Sequence, residues 1–361
     1  MTNSSNGTTP DGFDESDLQA LGESIAQVLA SEADRQALHR HIDGQTQLDR
    51  LLWQKAIELG WTAIGLPEDC GGLGLGVRGL DLLYRQLGRH VAPGPFLASM
   101  AAAQTIATTG DAATKAEWLP ALASGERKLA VAAEVDGAAG SRGTWLIGDE
   151  DSDAALVPLV SGQWGLVALT GTQRLEMWDR TRSMLNVDLD GRDPLATLPA
   201  DGTAQNLTQN LALALAADSI GGARAIIEIT VEYMLQREQF GRTIASFQAL
   251  KHRIADHMTE VVSGEEFLAL AVDSAARRNP DAGIWASLAK ARCSESYLRI
   301  AQDCLQLHGG VGFTWEFDVH LYLNRARLNE LLVAPNHKLK DAAANELAEA
   351  VRCGREPLEL A

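Results

Sequence analysis

The sequence has few cysteines and no pattern that would use them together. Its four cysteines, Cys70, Cys293, Cys304 and Cys353, are widely scattered and include no CxxC pair. Such a distribution favours neither a zinc site nor a disulfide framework. We therefore expect a protein of a reducing compartment, with the cytoplasm as its location.

Other short catalytic signatures are also missing from the sequence. No HExxH pattern occurs among the eight histidines, and His252 and His257 lie five positions apart, a spacing that points them to different faces of a helix. His39 and His41 lie in a charged stretch and are more simply solvent-exposed. No GxSxG elbow supports a serine hydrolase. We expect no metal site and no serine-hydrolase chemistry.

Positive charge and long apolar runs are scarce as well. The sequence has 31 Lys and Arg residues and 48 Asp and Glu residues, which gives a net charge of −17. Proteins that bind nucleic acids or anionic membranes need clustered cations. No run reaches the roughly 18 to 20 apolar residues of a membrane span. The N-terminus lacks the basic and apolar parts of a signal peptide, and we expect residues 1–14 to be a disordered lead. Nucleic acids and membranes are therefore not expected partners.

The spacing of the apolar residues changes clearly along the sequence. Apolar residues recur at spacings of three and four over residues 15–128, which predicts an N-terminal helical domain. Short apolar runs separated by Gly, Asp and Ser predict a reduced β domain over 129–202. Long helical stripes return over 203–361, and an antiparallel four-helix bundle is the natural way to bury them. The expected fold is mainly α with a small β domain.

A glycine pattern in the first third resembles a dinucleotide-binding fingerprint. Gly74-x-Gly76-x-x-Gly79 has the literal spacing, but that motif must follow a buried strand and open a helix. Here it follows the polar, turn-rich segment from Pro67 to Gly72. We interpret it as a plain loop.

Two later segments are more informative, each at the end of a long predicted helix. In Arg237-Glu238-Gln239-Phe240-Gly241, the Arg can present a planar cation to a pyrophosphate and Phe240 can cover an aromatic ring. In the segment from Gln306 to Phe313, Gly309 and Gly310 let the backbone approach a flat cofactor, and Gln306 can supply directional hydrogen bonds. The alternative for each segment alone is a helix C-cap that happens to hold these residues.

The order of these segments resembles that of the acyl-CoA dehydrogenase family along nearly the whole chain. The matching motifs are Leu59-Gly60-Trp61 with Pro67-Glu68-x-x-Gly71-Gly72-x-Gly74, then Arg237-x-x-Phe240-Gly241-x-x-Ile244-x-x-Phe247-Gln248, then Gln306-x-x-Gly309-Gly310-x-Gly312-Phe313. The resemblance implies an N-terminal α domain, a central β-barrel and a C-terminal four-helix bundle. It also implies FAD as cofactor, an acyl-CoA substrate that is α,β-dehydrogenated, and an electron-transfer flavoprotein as electron acceptor.

The same resemblance assigns roles to the two glycine-containing turns. In the family these segments reach FAD that is held mainly by the neighbouring subunit. The cofactor-binding candidates it implies are Arg237, Phe240, Gln306, Gly309 and Gly310. They would form the half of a flavin site that one subunit lends to another.

The family's catalytic glutamate has no match in this chain. Counting from Gly309-Gly310 to its usual position reaches Val333, and the position used by a minority of members falls near Leu211. Neither side chain can accept a proton. The nearest carboxylate is that of Glu330, which is the candidate for a displaced base.

The predicted β domain also lacks features that are typical of the family. Ala133 to Gly140 lacks the proline and the Ser-Asp ending of the family's flavin loop, and Trp145-Leu146-Ile147-Gly148 runs into acidic Asp149 to Asp153 like a truncated strand pair. We expect this domain not to cradle an isoalloxazine ring. The segments Asp179 to Arg182 and His320 to Leu323 resemble two-subunit enzymes of bacterial steroid degradation.

These departures favour a non-catalytic type of subunit in a heteromeric α2β2 acyl-CoA dehydrogenase. Its partner would be a homologous catalytic subunit, and its substrate a steroid-derived acyl-CoA. Two alternatives stay open. The chain could be a self-sufficient homotetrameric dehydrogenase with a displaced base, or a non-enzymatic scaffold that retains the fold.

Overall fold

The computed structural model describes residues 15–133, 144–314 and 317–355. The expected lead over 1–14 and nearly all of the departing flavin loop from Ala133 to Gly140 lie outside the described residues. In the described ranges six α-helices precede seven strands and five α-helices follow them, and a two-stranded hairpin lies within the last group of helices. The expectation of a mainly α fold with a small β domain is confirmed.

The first third is helical because its apolar stripes converge on one core. The six helices there are α1 (Glu15–Glu32), α2 (Arg35–Ile42), α3 (Leu48–Glu58), α4 (Gly76–Arg89), α5 (Phe96–Thr109) and α6 (Ala112–Ala123). Two of them start at aspartate N-caps: Asp34 accepts from Ala37 N and Asp111 from Thr114 N, each at 2.7 Å. Such caps satisfy backbone donors that the first turn of a helix leaves free.

The predicted dinucleotide-like glycines lie in a loop and at the start of α4, as we interpreted them. Gly74 and Gly76 have φ values of 70° and 55°, and a short 3-10 turn, Glu68–Cys70, precedes them. No strand leads into the motif among the described residues of this region.

The central β domain is one seven-stranded sheet among the described residues. Its strands are β1 (Leu129–Ala132), β2 (Thr144–Ile147), β3 (Ala154–Pro158), β4 (Trp164–Ala168), β5 (Gln173–Arg174), β6 (Met184–Val187) and β7 (Ala196–Leu198). They pair in the order β5-β6-β2-β1-β3-β4-β7. The sequence suggests a truncated strand pair here. Strands β2 and β3 are not paired with each other, because β1 lies between them, antiparallel to β2 and parallel to β3.

Both faces of this sheet are apolar. Alternate residues of β1 show the pattern, since Leu129 and Val131 join the main core while Ala130 belongs to a second cluster. That second cluster also holds Leu146, Ala155, Val157, Val167, Leu185 and Val187. Alternation of this kind follows from the two-residue period of a strand.

The last third is the helical bundle. After the 37-residue α7 (Ala200–Gln236) comes a short hairpin, β8 (Glu238–Gln239) with β9 (Arg242–Thr243), and then α8 (Gln248–Ala276), α9 (Ala282–His308), α10 (Val319–Leu331) and α11 (Asn336–Arg352). Asp201 and Gly202 have non-helical backbone angles, so the regular part of α7 begins after them. Helix α9 packs against α7, α8, α10 and α11.

Glycines allow α7 and α4 to lie unusually close. A Cβ added at Gly88 would overlap the backbone carbonyl of Asp218, and one at Gly221 would overlap that of Arg85. Only residues without a side chain permit such an approach of two helices. The N-terminal domain is thereby fixed against the longest helix of the bundle.

Candidate functional site

The two predicted cofactor turns lie at the same end of the bundle. Helix α8 returns antiparallel between them, so α7 and α9 run in the same direction and their C-termini meet. Tyr233, in the last turn of α7, stacks on His308 at the end of α9 with ring centroids 4.4 Å apart. Its hydroxyl donates to the backbone oxygen of His308 at 3.3 Å. The fold therefore brings together segments that lie some 70 positions apart in the sequence.

The first turn presents a cation and an aromatic ring to the exterior. Arg237 caps α7, and its side chain is exposed and has no carboxylate partner among the described residues. Phe240 is 91% exposed and has a φ of 54°, the left-handed region that ordinary residues rarely adopt. The neighbouring ring of Phe247 contacts Phe240 edge-on and carries Arg242 on its face at 4.0 Å. An exposed aromatic side chain on a strained turn indicates a contact that the isolated chain does not make.

The second turn is open at its backbone. Gly309 has a φ of 62°, and a Cβ added at Gly309 or Gly310 would meet nothing within 4 Å. Gln306 lies exposed one turn earlier on α9, and Phe313, which follows the glycines, is 73% exposed. A flat molecule could lie directly against this backbone. These residues fit part of a flavin dinucleotide: a guanidinium for phosphate, an aromatic cover, and a backbone without side chains.

The positions expected for a catalytic base hold no carboxylate in the structure. Leu211 is buried in α7, and Val333, with a φ of 72°, lies in the turn between α10 and α11. Glu330 lies near the end of α10 and forms an ion pair with Arg327 one turn earlier. A carboxylate paired on a helix surface is poorly placed to take a proton from a buried substrate. Its role as a base stays a prediction that this pairing does not favour.

A buried lysine holds the α10–α11 turn. Lys290 of α9 is fully buried and donates to the backbone oxygens of Glu330 and Ala334, at 2.7 and 2.9 Å, and to Asn336 Oδ1 at 3.0 Å. Burial lowers the pKa of Lys290 to about 7. The segment in which the family carries its base is thus fixed here by a structural side chain. Sequence reasoning missed Lys290, whose only signal is a charge within the small, apolar run of α9.

A second buried group fills the space between α7, α10 and the β domain. Arg325 of α10 is 2% exposed and donates from Nε to Asp179 at 3.0 Å and from Nη1 to Asp218 at 2.9 Å. Its Nη2 donates to Thr181 Oγ1 at 2.7 Å. Every nitrogen of this guanidinium therefore has an acceptor, as a buried cation requires.

Asp218 connects this arginine to two further side chains. Its Oδ1 accepts from Asn329 at 2.6 Å and from Arg182 Nη2 at 3.1 Å. The two arginine cations beside it lower the pKa of the Asp218 carboxyl although burial opposes the shift. We call Asp179, Arg182, Asp218, Arg325 and Asn329 the buried ion network.

The turn after strand β2 is acidic. Burial, together with the nearby Asp49 and Asp151, raises the pKa of Asp149 to about 6. Asp151 accepts from Lys128 at 2.5 Å. A negative carboxylate here would oppose the negative charge that a flavin gains on reduction. The expectation that this domain does not cradle the ring agrees with that chemistry and stays a prediction.

The expectation that His39 and His41 are solvent-exposed is wrong, because both side chains are largely buried. Two histidines have carboxylate partners. His257 Nε2 lies 2.7 Å from Asp303 Oδ2, and His39 Nε2 lies 2.5 Å from Asp318 Oδ1. The described ranges contain no group of three or more His, Cys, Asp or Glu side chains arranged to hold a metal ion. Within those ranges no helix is long and apolar enough to cross a membrane.

Two family models match the chain on either side of its sheet. Residues 15–126 match the model "Acyl-CoA dehydrogenase, N-terminal domain", and residues 202–333 match "Acyl-CoA dehydrogenase, C-terminal domain". A curated relative, acyl-CoA dehydrogenase IpdE2 of Mycobacterium tuberculosis, is 31% identical over 324 residues, which cover 89% of this chain and 95% of the relative.

Two solved structures share the fold at moderate sequence identity. The Tcur3481-Tcur3483 steroid ACAD G363A variant superposes with a TM-score of 0.81 at 27% identity, covering 93% of this chain and 99% of the other. The ChsE4-ChsE5 complex from Mycobacterium tuberculosis gives a TM-score of 0.80 at 26% identity, covering 96% and 99%. Each of these structures is named for two proteins.

Proposed function

This chain belongs to the acyl-CoA dehydrogenase family, and from that premise we propose that it is the non-catalytic type of subunit in a heteromeric, FAD-dependent acyl-CoA dehydrogenase. It would lend Arg237, Phe240, Gln306, Gly309 and Gly310 to a flavin held mainly by a homologous catalytic partner. The observation that carries the proposal is the contrast between these five exposed positions and the absence of a carboxylate at Val333 and Leu211.

The residues at the two turns would bind and orient the cofactor. Arg237 would pair with a phosphate oxygen through charge-assisted hydrogen bonds, and Phe240 would cover an aromatic ring. Gly309 and Gly310 would let the dinucleotide lie against the backbone, with Gln306 fixing its orientation. When bound, FAD supplies the acceptor for the β-hydride of an acyl-CoA, and an electron-transfer flavoprotein would then take the electrons.

The partner subunit would supply the carboxylate that removes the α-proton. Support comes from the two solved neighbours, whose titles name protein pairs, and from the apolar surface at the turns, where Phe240, Phe313 and Leu235 are all exposed. A homologous subunit covering this end would bury those side chains. The steroid named in one title supports a steroid-derived acyl-CoA as the substrate class. A cytoplasmic location belongs to the same proposal and agrees with four free thiols.

The direct test is flavin content with and without a partner. The chain would be produced alone and together with a homologue that carries a Tyr-Glu-Gly-Thr-like segment, and FAD per chain would be measured by absorbance after denaturation. We expect little flavin in the chain alone, and flavin with acyl-CoA dehydrogenation in the complex. A yellow, active homotetramer of this chain alone would refute the proposal and favour the self-sufficient alternative. A complex that forms but holds no flavin would favour the scaffold alternative.

A further inference from the structure

A cleft opens on the side of the chain where the β domain meets the end of α2. Its volume is about 730 Å³, and its wall includes the turn after β2, strand β5 and the segment from Asp179 to Ser183. A small cavity of about 30 Å³ adjoins it and shares Asp149, Arg182 and Ser183 with it. Clefts that hold small organic ligands measure about 300 to 1,000 Å³. The larger space can hold a ligand's body, and the smaller one a single polar group.

Two polar atoms of the residues that line this cleft have no hydrogen-bond partner among the described residues. They are Arg182 Nη1 and Ser183 Oγ, and both are buried. An unsatisfied buried polar atom costs about 1 to 3 kcal/mol, so such atoms are rare in a settled interior. Arg325, by contrast, has an acceptor for each of its nitrogens. The unmet donor of the buried ion network, Arg182 Nη1, therefore belongs to a residue that lines the cleft.

The charges around Arg182 determine what kind of ligand group can bind to the unpaired polar atoms. The network already balances two arginines, Arg182 and Arg325, against two aspartates, Asp179 and Asp218. Asp149 adds a carboxylate to both the cleft and the small cavity, and its pKa of about 6 leaves it ionised at neutral pH. The rest of the wall carries Arg50, Arg174 and Arg180 against Asp49, Glu150, Asp151 and Glu176. Carboxylates therefore outnumber guanidiniums around the cleft by six to four, so a further anion would be repelled and would gain little from a cation already neutralised by Asp218.

We propose that Arg182 and Ser183 form a binding site for an uncharged carbonyl oxygen, with the rest of the ligand lying in the cleft. The guanidinium N–H and the hydroxyl would both donate to that oxygen. A ring ketone and an amide of a pantetheine arm offer the same acceptor. No residue of the two cofactor turns lines this cleft, so the site is separate from the half of a flavin site that those turns would lend.

Binding of small probes to the full-length protein tests the site without flavin or turnover. Dissociation constants would be measured by ligand-observed NMR for 1-indanone, for indane, for indane-1-carboxylate and for pantetheine. We expect a carbonyl probe to bind and indane and the carboxylate to bind at least about 10-fold more weakly, because one or two good hydrogen bonds contribute about that factor. Binding of 1-indanone would identify a ketone as the source, and binding of pantetheine an amide.

Ser183→Ala is the decisive variant because Ser183 Oγ has no hydrogen-bond partner in the described part of the chain. We expect this variant to bind the carbonyl probe about 3- to 10-fold more weakly, with no decrease in the Tm of the protein. Arg182→Lys keeps the charge beside Asp218 and removes Nη1, with an expected loss of about 10-fold. Asp149→Asn should admit the carboxylate probe. Ser161→Ala, in the exposed β3–β4 turn, is the matched control and should change nothing.

Three results would overturn the proposal. The first is equal binding of 1-indanone, pantetheine and indane. The second is tighter binding of the carboxylate than of either carbonyl probe in the unaltered protein. The third is an unchanged affinity of Ser183→Ala for the carbonyl probe. If Arg182→Lys fails to fold, the serine variant still decides between the outcomes. None of these readouts depends on whether the chain assembles with a flavin-bearing partner.

Discussion

The end of the bundle and the interior around α10 differ in whether their polar groups find partners within the chain. At the bundle end, Arg237 has no carboxylate partner among the described residues, Phe240 is almost fully exposed, and Gly309 faces open space. Around α10, Arg325 is buried and has acceptors for all of its nitrogens, and Lys290 makes three hydrogen bonds. The first region leaves its polar and aromatic groups open to solvent, whereas in the second Arg325 and Lys290 find all of their partners within the chain.

If the proposed function holds, this difference bears on how a subunit can lose one activity and keep another. An active site that no longer needs a base or a flavin cradle can be filled with internal ion pairs, which fix the packing of α7, α10 and the β domain. A surface lent to a neighbour has no such freedom, because its unpaired groups are used in the assembly. The predictions below test the two regions separately.

The largest expected effect is in the interior. Arg325→Met leaves Asp179 and Asp218 without their shared cation, and breaking a buried ion pair from one side costs about 3 to 5 kcal/mol. Urea denaturation would measure the loss in the free energy of unfolding. Arg327→Met, two residues along the same helix, removes an exposed pair with Glu330 and should cost less than about 1 kcal/mol. A loss below 1 kcal/mol in Arg325→Met would contradict the view that this region is completed by the network.

The sequence could not predict this network, although it predicted the fold. Arg325 lies 146 positions from Asp179 and 107 from Asp218, and such pairings carry no local signal. The same reason explains β2 and β3, which are adjacent in the sequence but separated by β1 in the sheet. Helices were predictable because their apolar period is local. The two turns were predictable because a glycine ending a helix is also a local pattern.

The second expected effect concerns the acidic turn beside the cleft. Because burial raises the pKa of Asp149 to about 6, the folded protein binds a proton there more tightly than the unfolded chain. Stability from this group is present at low pH and is lost as pH rises from about 4 through 6. Asp149→Asn should therefore stabilise the protein by on the order of 2 to 3 kcal/mol above pH 6 and by little below pH 4.

The measurement is the difference in unfolding free energy between the two proteins across pH 4 to 8. Only the difference is informative, because other carboxylates also titrate in this range. Asp153→Asn, in the same turn, is a poor control because Asp153 accepts from Lys128 N. Asp193→Asn, in the exposed segment after β6, is better matched and should give a flat difference. A flat difference for Asp149→Asn would show that its carboxyl is not destabilised by its surroundings.

The third effect tests the bundle end. Arg237→Met removes the cation proposed to pair with a cofactor phosphate, and a charge-assisted hydrogen bond contributes about 1.5 to 3 kcal/mol. The complex with a catalytic partner should then bind FAD about 10- to 100-fold more weakly, while the stability of this chain stays within about 0.5 kcal/mol. Arg277→Met, at the opposite end of the bundle, is the control. Unchanged FAD affinity in Arg237→Met would remove the turn from the shared site.

The smallest expected effect separates a supporting subunit from a self-sufficient enzyme. Glu330→Gln keeps the backbone oxygen that Lys290 contacts and loses only an exposed pair with Arg327, which is worth about 0 to 1 kcal/mol. If the base belongs to the partner, turnover of the complex should stay within about 2-fold of the unaltered protein, because Glu330 then takes no part in proton transfer. If Glu330 were the base, its loss should slow turnover by about 100-fold or more. Steady-state dehydrogenation by the complex distinguishes these results, and a large loss would move the chemistry into this chain.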